Sequence, residues 1–277
     1  MEKGRGLRQL KKNKLAMVGL FLIGCLLVLA VIGPLISPSN PLAPDPINRL
    51  KGPSSAHLFG TDSLGRDMLS RVIYGSRISI VIGLIAVSIS LVPGTLLGLV
   101  SGFYGKKLEE SIMRIMDVML AFPAILLAIF ITAILGPSLL NTMIAVGIVY
   151  IPHYARIVRS SVLTLKEQEF VQAVRSIGGT NFRIIALHIF PNAIPPIIVY
   201  ATLGMGTAVL QAAALGFLGL GAQPPTPEWG AMLSEGRQYI QLAPHVAAFP
   251  GLAIFILVLG FNLFGDGLRD LLDPSLR

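Results

Sequence analysis

A soluble globular domain usually carries about a quarter of its residues as charges. This chain of 277 residues carries 13%, is 53% hydrophobic and has a mean hydropathy of +0.75, which excludes a fold solvated mainly by water. Its single cysteine, Cys25, excludes an internal disulfide. The net charge of +8 resides on basic residues scattered between apolar runs without interleaved aromatics, a pattern of membrane orientation rather than of nucleic-acid binding.

Residues 1–14 hold six basic side chains against the single acid Glu2 and lead into an uncharged run, Leu15 to Ile36. That run is longer than the apolar core of a signal peptide, about 7–15 residues, so it reads as an uncleaved first span. A Pro-rich linker, Pro38 to Pro53, follows. Next comes Phe59-Gly-Thr-Asp-Ser-Leu-Gly-Arg-Asp-Met-Leu-Ser-Arg71, where the i,i+4 pairs Asp62/Arg66 and Asp67/Arg71 predict a short surface helix. Five further apolar runs, at about Ile78–Tyr104, Val118–Leu140, Asn141–Ala155, Ala193–Ala222 and Val246–Gly265, predict six spans in all. The run from Asn141 reaches spanning length only by continuing past Arg156 to about Val162, and Gly136-Pro137-Ser138 is a tight turn before it. Trp229, beside the prolines of the loop that begins at Gln223, reads as an interfacial anchor.

The stretch from Ser160 to Pro191 is the one long polar passage between apolar runs in the C-terminal half. Thr164 and Glu167 have the spacing of a capping box, which predicts a helix from Leu165, and Gly178-Gly179 can end it. Phe170, Ala173, Val174 and Ile177 then share one apolar stripe, with Lys166, Gln168, Gln172 and Arg175 largely off it. Thr180-Asn181 can cap a second short helix, Phe182 to Phe190, closed by Pro191. From spacing alone, an interfacial helix lying on headgroups suits the stripe as well as a docking helix does.

Six spans put both termini on one side. With the N-terminus inside, the inner segments hold sixteen Lys and Arg and the outer loops six, which favours a cytoplasmic N-terminus and a cytoplasmic 160–191 loop. The predicted layout is an N-terminal segment, first span and outer segment over residues 1–76, a five-helix membrane domain over 77–266, and a cytoplasmic tail over 267–277.

Gln172-Ala173-Val174, Gly178, His188 and Phe190-Pro191 reproduce the spacing Glu-Ala-Ala-x3-Gly-x9-Ile-x-Leu-Pro, so the loop resembles the EAA loop of ATP-binding cassette importer permeases. Gln172, Val174, His188 and Phe190 depart from that pattern in kind. The run Phe59 to Asp67, the Gln223–Pro244 loop and the tail from Phe261 to Pro274 are similar to the permeases of dipeptide, oligopeptide, nickel and glutathione importers. The resemblance covers the chain from about Leu15 to Arg277. It implies an all-α integral membrane protein with the type I importer permease fold, in a bacterial inner membrane, that imports di- or oligopeptides. It also implies that Glu169, Phe170, Gln172, Ala173, Val174, Arg175, Ile177, Gly178 and Gly179 couple it to an ATPase. The implied partners are a second homologous permease, two cytoplasmic ATP-binding subunits, an extracytoplasmic substrate-binding protein and membrane lipid. No cofactor is expected in this chain, because ATP and magnesium would be bound by the ATPases.

The residues exclude rival chemistries. The only Gly-Lys pair, Gly105-Lys106, lacks the rest of a Walker A loop, so the energy must come from another polypeptide. His57, His153, His188 and His245 are spread over separate regions without metal-ligand spacing. An intramembrane enzyme would need ionisable or nucleophilic groups at depth, and no Asp lies within a predicted span. An ion-coupled secondary transporter would use broken helices such as Pro93-Gly94 or Gly204-Met205-Gly206, yet neither span carries a carboxylate.

Overall fold

The computed structural model describes residues 13–272, so the basic run before Asn13 and the tail beyond Leu272 lie outside the described residues. Helix α1, Lys14–Ile36, starts where the Asn13 side chain accepts the Ala16 N–H at 3.1 Å, and it is apolar all round. It packs on the last helix, α9 (His245–Leu272), through small residues: a Cβ on Gly19 would lie 2.7 Å from the Gly260 carbonyl oxygen. Close backbone approach of this kind replaces the hydrophobic driving force that lipid cannot supply.

Helix α2, Met68–Tyr104, has 37 residues, roughly 55 Å of rise. Asp67 caps it, accepting the Ser70 N–H at 2.8 Å, and Gly105 at φ +64° ends it. Gly94, Gly98 and Gly102 recur every fourth residue and receive Tyr154, Val158 and Val162 of α5 (Leu139–Leu165), so the two helices run parallel with their backbones in contact. Ser138 caps α5, accepting the Asn141 N–H at 3.1 Å after Gly136 turns at φ +89°, and α5 continues through Arg156 as its length requires. Helix α7, Asn181–Phe217, lies across both.

Four expectations fail here. The predicted span Val118–Leu140 is two helices, α3 (Lys106–Leu120) and α4 (Ala124–Leu135), bent by 91°. Pro123 lacks an N–H and restricts Phe122, so the helix cannot run through. The helix predicted to close at Pro191 instead continues to Phe217; the prolyl ring is accommodated by a π-helical turn, Ile184–Ile189, just before it. Among the described residues four helices are long and apolar enough to span a membrane, α1, α2, α7 and α9, or five if the bent pair counts as one span.

Third, the Phe59–Arg71 run is not a surface helix. Gly60 and Gly65 sit at φ +73° and +79°, where a Cβ on Gly65 would come within 1.8 Å of the Asp45 carbonyl oxygen, and an isolated bridge joins Thr61 to Asp67. The charges are buried rather than solvated: Asp62, Arg66 and Arg71 are each at most 3% exposed. Arg66 donates to Asp62 at 2.6 Å and to Glu235 of helix α8 (Trp229–Gly236) at 2.8 Å. Arg71 lies 3.4 Å from each of the same two carboxylates and does not pair with Asp67, which instead meets His57 Nδ1 at 2.9 Å. This network ties the long loop after α1 to α8.

Trp229 is no interfacial anchor. It is fully buried, donates its indole N–H to the Val72 carbonyl at 3.1 Å, and sits over Gly75, where a Cβ would meet its ring at 2.4 Å. Glu228 caps α8 through the Gly230 and Ala231 N–H groups; burial pushes its carboxyl up, and those two bonds oppose the rise. Trp229→Ala is expected to destabilise the end of the bundle that carries α8 by about 3–5 kcal/mol, read as an earlier unfolding transition of the purified protein.

Candidate functional site

The polar passage of the C-terminal half builds a short projection at the end of the bundle where α2 and α5 finish. Helix α5 runs to Leu165, and Thr164 lies in its last turn, donating to the Ser160 carbonyl at 3.3 Å rather than capping a new helix. The helix predicted from Leu165 therefore begins later: α6 is Glu169–Ser176, eight residues or about 12 Å. Lys166 closes α5 and its ammonium donates to the Gly102 carbonyl at 3.0 Å, joining the ends of α5 and α2. Gln172 Nε2 donates to the Lys166 carbonyl at 3.2 Å and folds α6 back onto that junction. A glutamate carboxylate at this position cannot donate that bond.

The predicted stripe is divided by the structure. Val171, absent from it, is fully buried in a cluster with Leu99 of α2, Val158 and Val162 of α5, and Ile184, Ile189 and Ala193 of α7, and Val174 packs against the same cluster. Phe170, Ala173 and Ile177 point away from that seat, Ile177 with 85% of its surface exposed. Of the four stripe residues, Val174 is thus covered by the chain's own helices. An i,i+3 pair on one side is pinned to three long helices, and the opposite side stays bare.

Glu169 in the first turn and Arg175 in the last are exposed and complement the helix dipole. Gly178 turns at φ +83°, and Gly179 lies so close to α6 that a Cβ would meet the Val174 carbonyl oxygen at 2.8 Å. The expected Thr180 cap forms, accepting the Arg183 N–H at 3.4 Å. Beyond it Phe182 is 81% exposed, which extends the bare apolar side past the turn.

Sequence reasoning missed the brace behind this projection. Arg159 of α5 grips Glu109 of α3, its Nε donating at 2.6 Å, and Arg156 pairs with Asp117 one step along. Glu109 and Asp117 are eight residues apart on an amphipathic helix, opposite two arginines three apart, and that complementarity was available in the sequence. Among the described residues no group of three or more His, Cys, Asp or Glu could hold a metal ion. The side chains gathered here suit a mechanical contact: an exposed apolar face on a lever rooted in the core.

Residues 94–277 match the family described as binding-protein-dependent transport system inner membrane component, and residues 4–53 match the N-terminal TM domain of oligopeptide transport permease C. The chain is 56% identical over 270 residues to the dipeptide transport system permease protein DppC of Alkalihalophilus pseudofirmus, covering 98% of this chain and 89% of that one. It is 48% identical to the di/tripeptide transport system permease protein DppC of Pseudomonas aeruginosa, over 96% and 89% of the two chains. Identity to the glutathione transport system permease protein GsiD of Escherichia coli is 49%, over 98% and 89%. Among solved structures, the MetNI methionine ABC transporter in an inward-facing form aligns with TM-score 0.59 at 22% identity, over 74% of this chain and 97% of that one.

Proposed function

The chain belongs to the family of binding-protein-dependent transport system inner membrane components, and on that premise we propose that it conducts di- or oligopeptides inward, driven by ATP hydrolysed in separate subunits. It is a transport subunit, not an enzyme. The observation that carries the mechanism is the division of α6, with Val171 rooted among α2, α5 and α7 and Phe170, Ala173 and Ile177 left bare. Force applied to the bare side reaches three long helices through one buried contact, because a close-packed core transmits displacement.

In this reading two cytoplasmic ATP-binding subunits, which hold the nucleotide and magnesium, receive α6 and the Gly178-Gly179 turn. Closing of the ATPase pair pushes α6 and swings the helices so that the path faces outward, and hydrolysis resets it. A second homologous permease completes the path, and an extracytoplasmic binding protein delivers the peptide. Helix α5 serves as the further span that brings the number to six; its 27 residues suffice, and its Arg156 and Arg159 sit toward the end where α3 neutralises them. Both termini then lie in the cytoplasm, as the distribution of Lys and Arg favours.

Identity to dipeptide and di/tripeptide permeases supports peptides, and the similar identity to the glutathione permease keeps glutathione, itself a tripeptide-sized substrate, as the second reading. Proteoliposomes holding this chain with its partner permease, ATPases and binding protein are expected to accumulate labelled dipeptide only with ATP inside the nucleotide-facing compartment. Uptake that persists without the ATPases and collapses with an uncoupler would instead indicate an ion-coupled carrier.

A further inference from the structure

Between α2, α5 and α7 lies a cavity of about 80 Å³, at a level of the bundle well away from α6. Ser90, Tyr150, Tyr154, Tyr200 and Thr207 supply its polar lining, Gly204 its floor, and no charged residue borders it. Tyr154 is 2% exposed, and among the described residues its hydroxyl has no hydrogen-bond partner. Ser90 cannot donate to it, because its own hydroxyl hydrogen serves the Ala86 and Val87 carbonyls at 3.1 and 3.0 Å; its oxygen could only accept the phenol hydrogen, which leaves the phenol's lone pairs without a donor. Gly204 is required here: a Cβ would stand 2.7 Å from the Tyr154 hydroxyl oxygen. A backbone cut back to glycine to leave room around an unpaired buried phenol is a costly arrangement unless something else bonds that phenol.

The cavity is not sealed. Thr207 is exposed, and Tyr150 and Tyr200 are half-buried, so it opens beside Thr207 on α7. Around the mouth the rings form a continuous aromatic surface: Tyr154 meets Tyr200 edge-on at 4.9 Å, and His153 lies 5.5 Å from Tyr150 and 6.5 Å from Tyr200. Phenol and hydroxyl oxygens accept N–H groups, and aromatic faces attract an ammonium. The lack of carboxylates argues against an ion-coupling or metal site, and the lack of Lys or Arg against a phosphate site.

We propose that this cavity is a transit subsite for the main-chain N–H groups and terminal ammonium of a peptide, with Tyr154 and Thr207 as the accepting hydroxyls. The proposal rests on the peptide-importer reading, in which the face bearing Thr207 lines the path. A contact to the main chain alone suits a conduit that must pass many side chains while the binding protein does the selecting. The cavity admits one end of a peptide rather than the whole, since a single water already takes about 30 Å³ of liquid volume.

The test uses the complete reconstituted complex and Tyr154→Phe, Thr207→Val and the double variant, each close in shape to the original. A hydroxyl that is merely unsatisfied destabilises the fold, so its removal should raise the unfolding temperature or leave it unchanged and leave uptake alone. The transit role predicts the same unfolding temperature or a higher one, together with a roughly tenfold fall in maximal dialanine uptake in the double variant. Peptide affinity of the binding protein and basal ATP hydrolysis should be unaltered. Wild-type uptake rates in the double variant overturn the proposal and show that the cavity holds water only. Should the double variant unfold earlier, Tyr154→Phe alone decides by the same criterion. Loss of ATP-driven uptake in the wild-type complex itself would count against the importer reading, not against the subsite.

Discussion

Replacing Phe170 and Ile177 together by aspartate is expected to lower ATP-driven uptake at least about thirtyfold while leaving the protein inserted and folded. Ile177 is 85% exposed and Phe170 37%, so neither substitution buries a charge in the free chain. Exposed aromatic and aliphatic side chains on a projecting helix are the kind of anchors whose loss removes about 2 kcal/mol or more of binding, and each 1.4 kcal/mol is tenfold. Val171→Asp makes the contrast. That side chain is fully buried among α2, α5 and α7, so a carboxylate there should unfold the end of the bundle, and yield and unfolding temperature fall before transport can be measured. Equal behaviour of the two sides would mean that α6 is not divided into a rooted and a bare face in the working protein.

The second large effect lies at the opposite end. Asp62→Ala leaves Arg66 and Arg71, each at most 3% exposed, facing Glu235 alone. Removing one member of a buried ionic group costs about 3–5 kcal/mol because the remaining charge stays desolvated. Thermal unfolding of the purified protein should show a clear fall in midpoint. Arg114→Ala, which breaks an exposed i,i+4 pair with Glu110, should leave the midpoint nearly unchanged. A small effect of Asp62→Ala would show that water already reaches the network.

The sequence made the membrane class and the location of the projection legible, because long uncharged runs and a single polar passage leave few alternatives. The errors have local causes. Asp62/Arg66 and Asp67/Arg71 have helix spacing, but Gly60 and Gly65 beside them take positive φ, and a turn brings i and i+4 together as well as a helix does. Thr164 and Glu167 fit a capping box, yet Thr164 is tolerated in the last turn of a helix that tertiary contacts extend, and Glu167 falls in the turn beyond it. Val171 was left off the stripe because helical periodicity identifies an apolar side without saying which neighbours cover it. The glycines at 94, 98 and 102 carried a legible spacing of four, and what they receive is visible only once α5 is placed. Trp229 drew the interfacial reading from its neighbours, whereas the space over Gly75 decides its position.

The account depends on α6 being the part of this chain that an ATPase holds. With Cys25 replaced by serine, a cysteine placed at Phe170 or Ala173 should form a crosslink to a nucleotide-hydrolysing subunit in native membranes, and ATP should change its yield. Crosslinks that reach no such subunit, or labelling of these positions by an impermeant reagent added from the binding-protein side, would contradict it.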